Sequence, residues 1–80
     1  MSYFVYMLKC AGGSFYIGST NDVEKRFAKH KEGKGASYTR SHKPVSVVYT
    51  EEMTDKSSAL KREHELKKLT HYQKSLLSLL

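Results

Sequence analysis

The sequence predicts an α+β fold: a small three-stranded mixed or antiparallel sheet flanked by helices, in the order β-β-α-β-α-α. Three observations carry that expectation. Residues 3–10 are almost continuously apolar or aromatic, broken only at Lys9, which suits a central strand covered on both faces. A second strand-like run, Ser14 to Thr20, follows a turn at Ala11-Gly12-Gly13, close enough to pair with the first as an antiparallel hairpin. A third run, Val45-Ser46-Val47-Val48-Tyr49-Thr50, stands between segments that carry helix caps and helical spacing.

The elements follow in order. Asn21 with Glu24 opens a helix of capping-box type over about Asp22 to Glu32, with Val23 and Phe27 on its apolar side and Gly33 as its stop. Residues 33–44 read as a Gly/Ser/basic loop without apolar periodicity. In the third strand, Val45, Val47 and Tyr49 share a face by the two-residue alternation. Asp55 caps a second helix, about Lys56 to Lys68, whose apolar side holds Ala59, Leu60 and Leu66. Thr70 with Gln73 opens a short third helix carrying Tyr72, Leu76, Leu77 and Leu80. There is no internal repeat and no linker, so residues 1–80 are read as one domain.

Composition excludes several function classes. Cys10 is the only cysteine, so no intramolecular disulfide forms, and no Cys/His cluster has zinc spacing. No apolar run approaches the roughly 20 residues that cross a bilayer, and Met1 to Leu8 does not read as a signal peptide. A lone thiol without an export signal points to the cytoplasm. Fourteen Lys+Arg against eight Asp+Glu give a net charge of +6, which makes a polyanion the default partner. Most of the excess sits between residues 25 and 43, where Lys25, Arg26, Lys29, Lys31, Lys34, Arg40 and Lys43 face a single acid, Glu32. A second basic set, Lys61, Arg62, Lys67, Lys68 and Lys74, lies in the C-terminal third.

Three groups of polar residues sit in apolar surroundings. On the first helix, Arg26 and His30 share a face beside the core stripe, four residues apart. A half-buried guanidinium is costly unless it is paired with a carboxylate or a phosphate. On the second helix, Glu63 falls among Ala59 and Leu66 on the buried side and calls for a cation, either a divalent metal or a partner arginine such as Arg26. On the hairpin, Tyr6 and Tyr16 lie on separate strands and can face the same side, although strand tyrosines are usually packing residues.

These residues carry a resemblance. Phe4-Val5-Tyr6, with Tyr16-Ile17-Gly18 ten residues on, resembles the paired motifs of the GIY-YIG nuclease superfamily. Arg26-Phe27-Ala28-Lys29-His30 is similar to its R-x-x-x-H helix, and Ala59 to Glu63 with Leu66-Lys67 looks like the helix bearing its metal-binding glutamate. The chain looks most like the small stand-alone bacterial branch of that superfamily. The first motif reads Phe-Val-Tyr, so its Gly and Ile are replaced while the tyrosine is kept, and the only asparagine is Asn21, leaving the late asparagine of many members without a counterpart.

The resemblance implies a divalent-metal-dependent endonuclease acting on DNA, with RNA an open alternative and repair or recombination as its setting. Tyr6 would be the general base or orient the attacking water, and Tyr16 would bond the water or the scissile phosphate. Gly18 would leave room for the phosphate backbone. Arg26 would stabilise charge on the phosphoryl group, His30 would assist proton transfer, and Glu63 would hold one Mg²⁺ or Mn²⁺. Lys25, Lys29, Lys31, Lys34, Arg40 and Lys43 would track the nucleic acid. Without an appended DNA-binding domain, structure-selective or weakly selective cutting is expected. Two rivals stand beside it: a nucleic-acid-binding domain of the same fold with little activity, and a protein partner docked on the apolar C-terminal helix (Leu76, Leu77, Leu79, Leu80). For that helix, packing on its own sheet is the favoured expectation.

Overall fold

A computed structural model describes residues 2–80. Strands β1 (Tyr3–Cys10), β2 (Phe15–Thr20) and β3 (Pro44–Met53) form one antiparallel sheet in the spatial order β2-β1-β3. Around it lie α1 (Val23–Lys31), α2 (Ser37–Ser41), α3 (Lys56–Lys67) and α4 (His71–Leu77). The α+β class and the order of the main elements are those expected, and both pairings of the sheet are antiparallel.

The continuous apolar run makes β1 the middle strand. Its side chains alternate between faces and feed two separate clusters. Val5 and Met7 meet Ile17 and the α3 residues Ala59 and Leu66 on one face. Tyr6, Leu8 and Cys10 point the other way, where Tyr16, Val47 and the α1 residues Val23 and Phe27 pack on them. One strand thus carries two helices on opposite sides.

Several details depart from expectation. The segment 33–44 is not wholly a loop: residues 37–41 form α2. This helix has no apolar stripe to announce it. It is held at its start by Thr39, whose backbone N–H and hydroxyl both donate to the Ala36 carbonyl, at 3.1 and 2.8 Å. The cap of α1 is Asp22 rather than Asn21, its carboxylate accepting from the Lys25 N–H at 3.1 Å. Asp55 and the Thr70/Gln73 capping box act as expected.

Strand β3 does not keep Val45, Val47 and Tyr49 on one face. The register passes from Met7–Tyr49 to Leu8–Val47 and from Lys9–Ser46 to Cys10–Pro44, so Val48 and Val45 are extra residues at two irregularities. Each extra residue inverts the alternation that follows it. Val47 therefore joins the Tyr6 face, Tyr49 and Val48 join the Val5 face, and Val45 is exposed. Among the described apolar residues of α4 and the segment after it, Leu77 alone packs against the core, while Tyr72, Leu76, Leu79 and Leu80 are exposed. The expected packing of the C-terminal helix is therefore met by one leucine. None of the described helices is long and apolar enough to cross a membrane.

On α3, Leu66 is 2 % exposed, but Leu60, expected on the same apolar side, is 49 % exposed. Leu66→Ala should therefore cost about 2–5 kcal/mol of unfolding free energy. Leu60→Ala should stay within about 0.5 kcal/mol of wild type in the same urea titration.

Candidate active site

Tyr6 is the centre of the site because β1 aims it under α1 while β2 makes room for it. In the hairpin register Tyr6 lies opposite Gly18. A Cβ at Gly18 would come within 2.6 Å of the Tyr6 hydroxyl oxygen, so only glycine permits this seat. The room left by Gly18, which the resemblance assigned to a phosphate backbone, is taken by the Tyr6 ring.

The last turn of α1 brings His30 over the same ring. Tyr6 Oη and His30 Nε2 are 2.8 Å apart, and each residue is 1 % exposed. The other ring nitrogen, Nδ1, is 2.8 Å from Thr39 Oγ1 on α2. A second glycine allows this approach: a Cβ at Gly35 would stand 2.2 Å from His30 Nδ1. Tyr16 completes the aromatic group, its ring edge-on to His30 with centroids 5.1 Å apart and 6.4 Å from Tyr6.

One helical turn before His30, Arg26 is half-buried and makes no ion pair among the described residues. Burial pushes the Tyr6 hydroxyl up to about 12, the Arg26 guanidinium beside it pulls the other way, and nearby Tyr16 and Glu63 raise it. Burial, reinforced by Arg26, lowers the His30 pKa below its ordinary 6.5. The two groups are thereby held as a neutral phenol and a neutral imidazole at neutral pH.

Glu63 on α3 is half-buried, with its side chain 18 % exposed, and its Oε2 meets Lys67 Nζ at 2.8 Å. The sequence reading offered it an arginine or a metal, but the cation in place is a lysine one turn along its own helix and not Arg26. Its second oxygen makes no ion pair or hydrogen bond among the described residues. No three His, Cys, Asp or Glu cluster as metal ligands among them either. A single carboxylate with one uncommitted oxygen offers one ligand to a hard cation that keeps most of its water. The donor set fits Mg²⁺ or Mn²⁺ held in that way.

The basic residues named from the sequence are placed on the surface. Lys25, Lys29, Lys31, Lys34, Arg40 and Lys43 are all exposed, and none forms an ion pair among the described residues. Beside Tyr16 a pocket of about 200 Å³ is lined by Phe15, Tyr16, Ile17, Tyr38, Lys67 and Lys74. Tyr38 is stacked on His42 with centroids 4.2 Å apart. Thr39 and Gly35 have no counterpart among the sequence candidates. Thr39 lies nine residues from His30, a spacing no helix face predicts, and Gly35 falls within the segment that reads only as a Gly/Ser/basic loop.

The site now has its comparison. The GIY-YIG catalytic domain matches residues 2–75 of the chain. The chain belongs to the GIY-YIG nuclease family. It is 53 % identical over 72 residues to a UPF0213 protein of Staphylococcus epidermidis, covering 90 % of this chain and 88 % of that relative. A UPF0213 protein of Natronomonas pharaonis is 47 % identical over 75 residues, covering 94 % and 88 %.

Two solved structures agree in fold. The solution NMR structure of the UPF0213 protein BH0048 from Bacillus halodurans has 43 % identity and a TM-score of 0.58, covering 96 % of this chain and 82 % of that one. That of EF2693 from E. faecalis has 40 % identity and a TM-score of 0.61, covering 92 % and 79 %.

The seating of His30 has a pH consequence. Its folded pKa lies below the unfolded value of 6.5, so the unfolded chain binds the proton first as pH falls. The stability contributed by the neutral ring is complete above pH 6.5 and is lost progressively below it. The urea midpoint should fall between pH 7 and pH 5, and His30→Gln should flatten that fall.

Proposed function

We propose that this chain is a metal-dependent endonuclease that hydrolyses phosphodiester bonds in DNA, with structure-selective or weakly sequence-selective cutting. The observation that supports it most is a buried phenol hydrogen-bonded to a neutral imidazole beside a guanidinium that no carboxylate neutralises. A structural arginine in that position would be paired. An unpaired one awaits an anion.

The chemistry follows from the geometry. A phenol with a pKa near 12 does not ionise alone at neutral pH, so Tyr6 needs an acceptor for its proton. His30 Nε2, 2.8 Å away, is that acceptor. Water gives a proton to Tyr6 Oη as Tyr6 passes its own to His30, and the resulting hydroxide attacks phosphorus. Arg26 binds the non-bridging oxygens as charge builds on them. Tyr16 holds the phosphate or the water in line. Glu63 would hold a divalent ion, whose positive charge would stabilise the alkoxide released as the P–O ester bond breaks. The exposed cations of residues 25–43 follow the phosphate backbone, and the pocket between Tyr16 and Tyr38, with Lys74 on its rim, offers aromatic surface and charge to the neighbouring nucleotide.

The second reading is a nucleic-acid-binding domain with little or no activity. The Glu63–Lys67 pair favours it, because Lys67 already gives one carboxylate oxygen a cation without a metal.

Cleavage of labelled single-stranded, duplex, flapped and branched DNA, with RNA alongside, separates the two. We expect cutting only with Mg²⁺ or Mn²⁺, a loss of about 10²-fold or more in Tyr6→Phe, and no cutting by Glu63→Ala with DNA binding intact or stronger. Salt-sensitive binding without cutting by wild type under either metal would leave the binding reading. Replacing Lys29, Lys31 and Lys34 by Ala should weaken DNA binding and reduce its log-salt slope by about 1 per lost phosphate contact. An unchanged slope would remove α1 and its following loop from the interface.

A further inference from the structure

The proton transfer from Tyr6 requires a bare lone pair on His30 Nε2, and an isolated imidazole does not guarantee one. A neutral histidine carries its proton on either nitrogen, and the bond made by the other nitrogen decides which. From the contacts at Nδ1 we infer that Thr39, on the short helix α2, is a positioning residue that locks His30 in the Nδ1–H tautomer. This inference rests on the nuclease reading for its purpose, though not for its geometry.

Counting protons decides the direction of each bond. Thr39 Oγ1 has one hydrogen and two neighbours, the Ala36 carbonyl at 2.8 Å and His30 Nδ1 at 2.8 Å. A carbonyl only accepts, so with the hydroxyl donating to Ala36 the Nδ1–H donates to Thr39. Nε2 is then the acceptor, and the Tyr6 O–H donates to it. All three hydrogens have acceptors in this arrangement. In the opposite one, Thr39 donates to Nδ1 and Nε2–H donates to Tyr6 Oη. The buried Tyr6 hydrogen then has no acceptor among the described residues, since the neighbouring Arg26 guanidinium can only donate. An unsatisfied buried donor is the costlier state.

The use of a threonine is itself informative. A carboxylate at this place would orient the ring equally well, but it would also stabilise imidazolium and fill Nε2 with a proton. A hydroxyl orients without adding charge. It leaves His30 neutral and ready to receive, in keeping with the one turn of helix that brings Thr39 there. Gly35 serves the same end, because it lets the chain cross the face of the ring and return as α2.

Nitrogen-detected NMR of the imidazole reads the tautomer directly, and cleavage kinetics read its consequence. Wild type should show Nδ1–H. Thr39→Val keeps the shape and the residue-39 N–H bond to Ala36, but should give Nε2–H or a mixture, with kcat down at least about tenfold and DNA affinity unchanged. Thr39→Ser should restore both signals. An Nε2–H tautomer in wild type overturns the assignment, as does a Thr39→Val protein that keeps Nδ1–H and full kcat. If Thr39→Val does not fold, the wild-type spectrum and Thr39→Ser still decide. If wild type does not cut DNA, the spectra alone test Thr39, so failure of the nuclease reading is told apart from failure of this one.

Discussion

The contact between the Tyr6 hydroxyl and His30 Nε2 is the constraint on which the rest of the site is built. It ties the middle strand of the sheet to the end of α1, and both partners are removed from water. To close at 2.8 Å it needs β2 to present no side chain at residue 18 and the chain after α1 to present none at residue 35. It also needs the hairpin register as it stands. A slip of one residue would turn Tyr6 to the opposite face of the sheet, where α3 covers Val5 and Met7.

The charges sort by element in a way that the net balance of +6 conceals. On α3 the cations are partly spent within the protein: Arg62 meets Glu51 at 2.9 Å and Glu65 at 3.1 Å, and Lys67 meets Glu63. Part of the second basic set of the sequence is thus neutralised. Along α1, α2 and their connections, no cation is paired among the described residues. That side keeps its positive potential, and it is the side that carries Arg26 and His30. Local potential next to the reacting groups, more than total charge, is what draws a polyanion into position.

Burial acts on the two central groups with opposite results for their use. It withholds the proton of Tyr6 by raising its pKa and keeps His30 empty by lowering its pKa. A phenol that does not ionise alone and an imidazole that does not charge alone form a pair in which the proton moves only when something at the hydroxyl compensates it. Arg26 acts on both groups, opposing the rise of the phenol and reinforcing the fall of the imidazole. The reactivity of the pair therefore belongs to the site and not to either residue.

Much of this protein is legible along the chain, because the signals concerned are local. The apolar run of β1, the turn at residues 11–13, the caps at Asp55 and Thr70, and the one-turn spacing of Arg26 and His30 all arise from residues a few positions apart. They determine the α+β class and name the side chains that meet. What the sequence left open depends on contacts that sequence distance does not encode. Glu63 read as the partner of an arginine or a metal, and Lys67 took that place because α3 set it one turn away. The faces of Val47 and Tyr49 were reversed by extra residues in pairing with β1, which no alternation within β3 alone records. Helix α2 lacks an apolar stripe, since its Thr39 is buried through hydrogen bonds rather than through hydrophobic packing. The sequence by itself determined which chemical groups are present and which elements carry them. Only the tertiary structure decided which way each proton points, because that is set by donors and acceptors brought together from β1, α1 and α2.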